Sequence, residues 1–419
     1  MRFDILSHDL EEAAVTPAQN GSRRRALVLA FTAVCLIFLL GFASLAVDIG
    51  HGYAIKAKLQ NTADAAALAG AGALFSDELI LKTYDPKPDI IEDVQEYTLK
   101  NAEAYKLTDN TSGSLLTACG DDIVIGHITD PTDETEGIDT AHPTINAVEV
   151  TLRRDSHCNG PVSTFFAGLI GMSEMNISAA ATAYYDDRFA GFFPPPTTPG
   201  PLTPFSISKT YYEEQLAAPQ DNLSWNPTTQ TVQTGSDGIG EIKIYTDKQK
   251  GKDKKEDEDT GLDDLPDGGA GNYGTLHVGL QGNGTSDLGA QIQDGITQQQ
   301  VTDALGTGEL RFIDEDGGAL TYELPGNPGI SAGLSSYIEG RVGDVIAFFI
   351  HDNVSSGGSN AQFHIVGIAF GRLVEVNLHG SPSKKRVVIQ PAVYGGPGVI
   401  TDPNAPSSGG LVAVLRLIR

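Results

Sequence analysis

Basic side chains are scarce in this sequence. Lys and Arg number 28 against 54 Asp and Glu, a formal net charge of −26 over 419 residues. A surface that grips a phosphodiester backbone needs a basic patch, so nucleic acid is excluded as a partner. Cysteine is scarcer still, with only Cys35, Cys119 and Cys158. None stands in a Cys-x-x-Cys pair, and the one close Cys/His pair, His157-Cys158, consists of chain neighbours, which argues against a zinc site. The familiar catalytic patterns are also missing. There is no His-Glu-x-x-His, no Gly-x-Ser-x-Gly elbow and no phosphate loop. The acidic run around Lys248–Asp264 lacks the ordered Asp spacing of a calcium loop and reads as a solvated loop. His351-Asp352 and His364 fall on neighbouring predicted strands, where they form either an acid/base or metal pair or ordinary strand hydrogen bonds. No cofactor, no metal and no catalytic residue is expected. A hydrolase with its site in the carboxy-terminal part is the alternative reading.

One further absence is informative. From Ala26 to Val47 there is no charged residue for 22 positions, and 13 of these are Leu, Ile, Val or Phe. As a helix such a run covers about 33 Å, enough for a hydrocarbon core. Its apolar residues favour insertion by roughly 6 kcal/mol. Arg23, Arg24 and Arg25 stand directly before the run and act as a topology anchor, with only Lys56 and Lys58 soon after it. The bias places the amino terminus in the cytoplasm and everything after Asp48 outside. Ser44-Leu45-Ala46 offers a signal-peptidase site, but the run is longer than the usual 7–15 apolar residues of a signal peptide. The span is therefore expected to be kept.

Beyond the span the sequence reads GHGYAIKAKLQNTADAAALAGAGAL, Gly50 to Leu74. Ile55, Leu59, Ala63, Ala66, Ala69 and Ala73 form one helical stripe. Small residues at Ala63, Ala67 and Ala71 permit close backbone approach, either to a neighbouring subunit or to the chain's own domain.

This stretch resembles the amino-terminal segment of the Flp/Tad pilus-assembly TadE/TadG-like proteins. The resemblance rests on an apolar span, the junction Val47-Asp48-Ile49-Gly50, a short basic helix, and the run through Ala63, Asp64, Ala65 and Ala66. A looser likeness follows in the same order, in Ala147-Val148-Glu149-Val150, Phe165-Phe166 and Ala179-Ala180-Ala181-Thr182-Ala183. The resemblance implies a non-enzymatic, pseudopilin-like component anchored in a bacterial inner membrane, with the lipid bilayer and other pilus-assembly or pseudopilin subunits as partners. Two family features are missing. Pilin maturation cuts after a Gly that is followed five residues later by Glu, but Gly21 is followed at that distance by Ala26. The Asp-x-Ser-x-Ser metal pattern of von Willebrand factor A domains does not occur.

The remainder predicts an α+β chain. Residues 1–25 read as a cytoplasmic tail, 26–47 as the transmembrane helix, 48–189 as a small extracytoplasmic α+β domain, 190–207 as a proline-rich linker, and 208–419 as a β-rich domain. In the small domain, helices are expected at 90–105 and 162–172, with strands at 122–129, 146–153 and 175–185. Cys119 and Cys158 are the two cysteines outside the membrane, where an oxidising compartment permits a disulfide; two separate buried thiols are the alternative. The linker holds six prolines from Pro194 to Pro204 and should be stiff and extended. In the β-rich domain, helices are expected at 286–294, 297–305 and 331–339. Its main strands are expected at 345–351, 363–370, 372–378, 386–389 and 411–418. Val345 to Ile350 is apolar on both faces and should be a central strand.

Overall fold

The computed structural model describes residues 18–81, 84–108, 113–131, 133, 136–245, 272–280, 284–355, 361–380 and 385–418. The acidic run and most of the expected cytoplasmic tail lie outside them. The chain is a mixed α+β protein with a long amino-terminal helix and a β-rich carboxy-terminal region. Two compact units are present. One combines the chain up to Thr62 with Asn101–Thr117 and Leu152–Ala179. The other combines Ala63–Lys100, Ala118–Thr151 and Ala180–Arg419.

Helix α1 runs unbroken from Ala18 to Gly72, 55 residues. It contains the apolar run, the junction and the alanine run, and no proline interrupts it. In the first unit it is met by the carboxy-terminal end of α2 (Lys87–Tyr105), where the Lys58 ammonium donates to the Tyr105 carbonyl at 3.3 Å. The same unit holds the short hairpin of β3 (Val162–Ser163) and β4 (Glu174–Met175). The expected helix at 162–172 is not formed. Only one 3-10 turn, Ala167–Ile170, stands at the hairpin tip. The helix-like spacing of its apolar residues is real, but no element among the described residues buries that stripe. Gly171, at φ +90°, then turns the chain out of the helical region.

In the second unit the alanine run is buried. Ala63, Ala66, Ala67, Ala71 and Leu74 are all at most 1 % exposed. They face α2, whose buried positions Ile90, Val94 and Thr98 recur every four residues. The small residues at Ala63, Ala67 and Ala71 thus pack one face of this helix on its own domain, while Asp64, Ala65, Leu68 and Ala69 on the other face are half-buried. A four-stranded sheet has the order β1 (Ile123–Gly126), β2 (Ala147–Arg154), β5 (Ile177–Asp186), β18 (Val414–Ile418). Strands β1 and β2 fall where alternation places them. The outer strand β18 follows the whole β-rich region in sequence, yet it pairs antiparallel with β5. The small domain is therefore not completed by residue 189.

The β-rich region is built on a closed ring of pairings. In order these are β7 (Leu202–Ser208), β11 (Tyr273–Leu276), β13 (Tyr322–Pro328), β15 (Ala361–Asn377) and β14 (Val345–Val354), which pairs back to β7. Strand β14 is central, as its two-sided apolarity requires. Ile346, Phe348 and Ile350 enter one core, while Ala347 and Phe349 enter another. The first core also receives Tyr211 of α3 (Lys209–Ala217), Leu288 of α4 (Thr285–Asp294) and Ile338 of α6 (Ser335–Glu339). The second receives Val301 of α5 (Gln298–Leu305), a helix opened by a capping box between Thr297 and Gln300. The strands expected at 363–370 and 372–378 are one 17-residue strand, β15. Its far half carries β16 (Arg386–Pro391) and β10 (Ile242–Tyr245). A three-stranded sheet of β12 (Leu310–Arg311), β6 (Phe189–Phe192) and β17 (Val399–Thr401), and the hairpin β8 (Leu223–Asn226) with β9 (Thr231–Thr234), complete the described strands.

The proline-rich connection is shorter than the sequence reading of 190–207. Strands β6 and β7 occupy its two ends. What lies between is also tied down, because prolines lack N–H groups but keep their carbonyls. Gln298 N–H donates to the Pro195 carbonyl at 3.1 Å and Ala347 N–H to the Pro201 carbonyl at 2.8 Å.

Candidate functional site

The apolar part of α1 is unburied. Leu27, Phe31, Phe38 and Phe42 are each about two-thirds exposed or more. Among the described residues, one helix is long and apolar enough to cross a membrane, and it is this one. Arg25 is exposed at its start; of Arg23 and Arg24 only the helical backbone is described. Cys35 is a free thiol within the apolar stretch.

Exposure changes abruptly at the junction. Val47 and Ile49 are about half exposed, whereas Asp48 between them is 2 % exposed. Its carboxylate accepts three backbone donors from the hairpin tip. Phe165 N–H donates to Oδ1 at 2.7 Å, Phe166 N–H to Oδ2 at 3.0 Å, and Ala167 N–H to Oδ2 at 2.6 Å. Burial pushes the Asp48 pKa up. The three donors, aided by the nearby His51, outweigh burial and hold the carboxyl below its usual value. A charged carboxylate therefore fixes the first turn of the tip. The two stretches that carry the family likeness, Val47-Asp48-Ile49-Gly50 and Phe165-Phe166, meet at this point. Sequence reasoning missed the contact because 117 residues separate the partners. The available signal was a buried-type acid at the end of an apolar helix, with no basic partner nearby.

Further along the motif, Gly50 has open space where a Cβ would stand. Ala63 and Ala66 are fully buried, while Ala65 and Asp64 are half-buried. Cys119 and Cys158 are disulfide-bonded. Next to the bridge, the Asn159 side chain accepts from Thr117 N–H at 3.1 Å and donates to the Thr117 carbonyl at 2.9 Å. Sulfurs in a disulfide are not thiolates, so the two cysteines are not metal ligands.

Two histidines of the β-rich region, His351 and His364, have separate polar partners. His364 Nδ1 lies 2.6 Å from Asp352 Oδ1 at a half-exposed position. His351 is buried, with Ser206 Oγ 2.7 Å from its Nδ1 and the Phe363 ring edge-on to it. Asp352, the next residue on β14, is exposed and bound to His364 rather than to the buried His351. Ser206, His351 and Asp352 consequently do not line up as a relay.

Residues 27–73 match the family model described as putative Flp pilus-assembly TadE/G-like. The matched segment is 47 of the 419 residues. It begins inside the apolar run and ends where the buried alanine stripe ends, so its bounds are those of the exposed-to-buried helix. The Tad segment links the chain to a Flp/Tad pilus-related role and makes the unburied half of α1 compatible with a single-pass membrane anchor. No curated protein and no solved structure matches the chain.

Proposed function

We infer that this protein is a non-enzymatic, single-pass component of a Flp/Tad-type pilus assembly or adherence system. The arginine cluster at Arg23–Arg25 holds the amino terminus in the cytoplasm, α1 crosses the inner membrane as far as Val47, and the rest of the chain works outside. The reading is carried by one observation: the Tad segment coincides with a helix that is bare over its apolar half and buried in its own domain over its alanine half. A pilin that polymerises through its whole amino-terminal helix needs that second half free. Here the face formed by Ala63, Ala66, Ala67 and Ala71 is taken up by its own domain, which favours an anchored assembly factor over a filament subunit. Partners then engage the extracytoplasmic surface. Keeping the arginines next to the apolar run also argues against maturation at Gly21, since charges there anchor the span at the membrane surface.

Two fusions after Arg419 test topology. A reporter active only outside the cytoplasm should work there, and a cytoplasm-only reporter should not; the reverse pattern would refute the orientation. Intact mass of the protein from native membranes tests retention of the tail. A species starting at Ser22 or at Val47 would show cleavage and remove the anchored-factor reading.

A further inference from the structure

The hairpin tip after β3 carries large apolar side chains that none of the described residues covers. Leu169 is 88 % exposed, Ile170 72 %, Phe165 65 % and Met172 64 %. No Asp, Glu, Lys or Arg occurs between Asp155 and Glu174. Yet the tip is a built element. Thr164 N–H donates to the Ser173 carbonyl at 3.0 Å, the Thr164 hydroxyl to the Met172 carbonyl at 2.7 Å, and Met172 N–H to the Ala167 carbonyl at 2.9 Å. A closed turn that displays its apolar residues outward has a use for them.

The position of the tip along α1 says what that use is. A Cβ at Gly52 would lie 3.4 Å from the Met175 methyl, so the base of the hairpin sits level with residue 52. Its Phe165–Ala167 backbone sits level with Asp48, within 2.6–3.3 Å of that carboxylate. From 52 to 48 is about 6 Å of helix rise, directed back towards the apolar run. The hairpin therefore points down α1 to the end of the span, and its last residues carry the exposed apolar surface of Val47 and Ile49 outward. The Phe165 ring, centred 5.0 Å from His51, stands at this boundary. The exposed Tyr53 lies one turn further on, where aromatic residues favour the headgroup level.

We propose that the Phe165–Met172 tip is a second membrane contact, seated in the headgroup and upper acyl region of the leaflet at the Asp48 end of the span. It rests on the reading of α1 as a membrane helix. Asp48 acts as the tether: it holds the tip against α1 at the depth where the apolar run ends. A helix anchored at one point rotates and tilts freely, and a wedge beside it fixes both.

The test uses the full chain in phosphatidylcholine vesicles, with lipids brominated either near the headgroup or near the chain end. Leu169→Trp adds a fluorophore at a position with little packing to lose, and its signal is read over the parent's single tryptophan, Trp225. The added emission should be quenched most by bromine near the headgroup. A separate Phe38→Trp protein should be quenched most by bromine near the chain end. Adding Asp48→Ala to Leu169→Trp should roughly halve the quenching, because the untethered tip no longer holds its depth. If Phe38→Trp is quenched and Leu169→Trp is not, the second contact is wrong and the span stands. If neither is quenched, the span fails and the proposal falls with it. Shielding of the Leu169→Trp indole from aqueous acrylamide without lipid quenching would assign the tip to a protein partner and overturn the proposal. Quenching unaffected by Asp48→Ala would overturn the tether.

Discussion

Gly70 is the position where the packing of the alanine half of α1 can be tested most directly. A Cβ added there would stand 2.5 Å from Val94 Cγ2 and 3.3 Å from both Ile90 Cγ2 and Val148 Cγ1. Val94 is fully buried and β-branched, so its methyl cannot swing away at low cost. Overpacking of this kind costs about 1–3 kcal/mol. Replacing Gly by Ala in a helix recovers roughly 0.5–1 kcal/mol through propensity. The Gly70→Ala protein should therefore be less stable by about 1–2 kcal/mol, a shift of roughly tenfold in the folding equilibrium. Gly72, two residues on, has nothing within 4 Å of the same added atom. Gly72→Ala should thus be neutral or slightly stabilising. Trp225 reports the outcome, since it packs over Gly343 in the same compact unit. Urea titration of the detergent-solubilised chain, followed by Trp225 emission, should place the Gly70→Ala midpoint below the parent and the Gly72→Ala midpoint at or above it. A Gly70→Ala midpoint equal to that of Gly72→Ala would refute close packing of α1 on α2, and with it the argument that this face of the helix is unavailable to other subunits.

Three further outcomes are expected. Asp77 accepts from the Arg372 guanidinium at 2.6 Å and from Val393 N–H at 2.8 Å, so Asp77→Ala should cost about 1–3 kcal/mol. Because Arg372 also lies 4.6 Å from the Trp225 ring centre, the same variant should shift Trp225 emission, and an unchanged spectrum would contradict the geometry. The Cys119–Cys158 bridge closes a loop of about 40 residues, so Cys119→Ser with Cys158→Ser should lower stability by up to about 4 kcal/mol in the chain-entropy account. Alkylation of both thiols in the unreduced protein would show that no bridge forms. Burial lowers the His277 pKa; burial, followed by His142, lowers that of His127, so both fold as neutral rings. The unfolded chain then binds more protons below its ordinary histidine value, and stability present above about pH 6.5 is lost as pH falls towards the lowered folded values. The urea midpoint should drop between about pH 7.5 and 5.5, less steeply in His277→Gln; equal slopes in the two proteins would remove His277 from the linkage.

Local patterns in the sequence account for much of this fold. The uncharged run from Ala26 to Val47 announces α1, the alternation of Val148, Val150 and Leu152 announces β2, and the two-sided apolarity of Val345–Ile350 places β14 between partners. Thr297 with Gln300 marks the start of α5 to the residue. What stayed hidden depends on distant partners. Phe165, Phe166, Leu169 and Ile170 have helical spacing, but among the described residues no element covers them, and they form only a 3-10 turn. Ala63, Ala67 and Ala71 fit a subunit interface as well as an internal one, and the choice is made by Ile90 and Val94. Asp48 was legible as a family residue, but its three backbone donors belong to a hairpin more than a hundred residues away. Prolines from Pro194 to Pro204 mark an extended backbone without revealing that its carbonyls are taken up by α5 and β14.

The pairing of β18 with β5 makes the β-rich region an insertion between two adjacent strands of one sheet. Synthesis proceeds from α1 onward, so β5 is made long before β18. For that interval its outer edge carries free N–H and C=O groups, in a segment that reads Ala-Tyr-Tyr and is otherwise prone to pair with any passing strand. The sheet can close only after more than two hundred intervening residues have been made, and a contact of such sequence separation forms late. Completion of this sheet therefore acts as a timer: it cannot finish until the whole β-rich insertion has been made. A chain shortened before Val414 would keep α1 and the closed ring of strands, yet would present an open edge on β5 that invites the wrong partner.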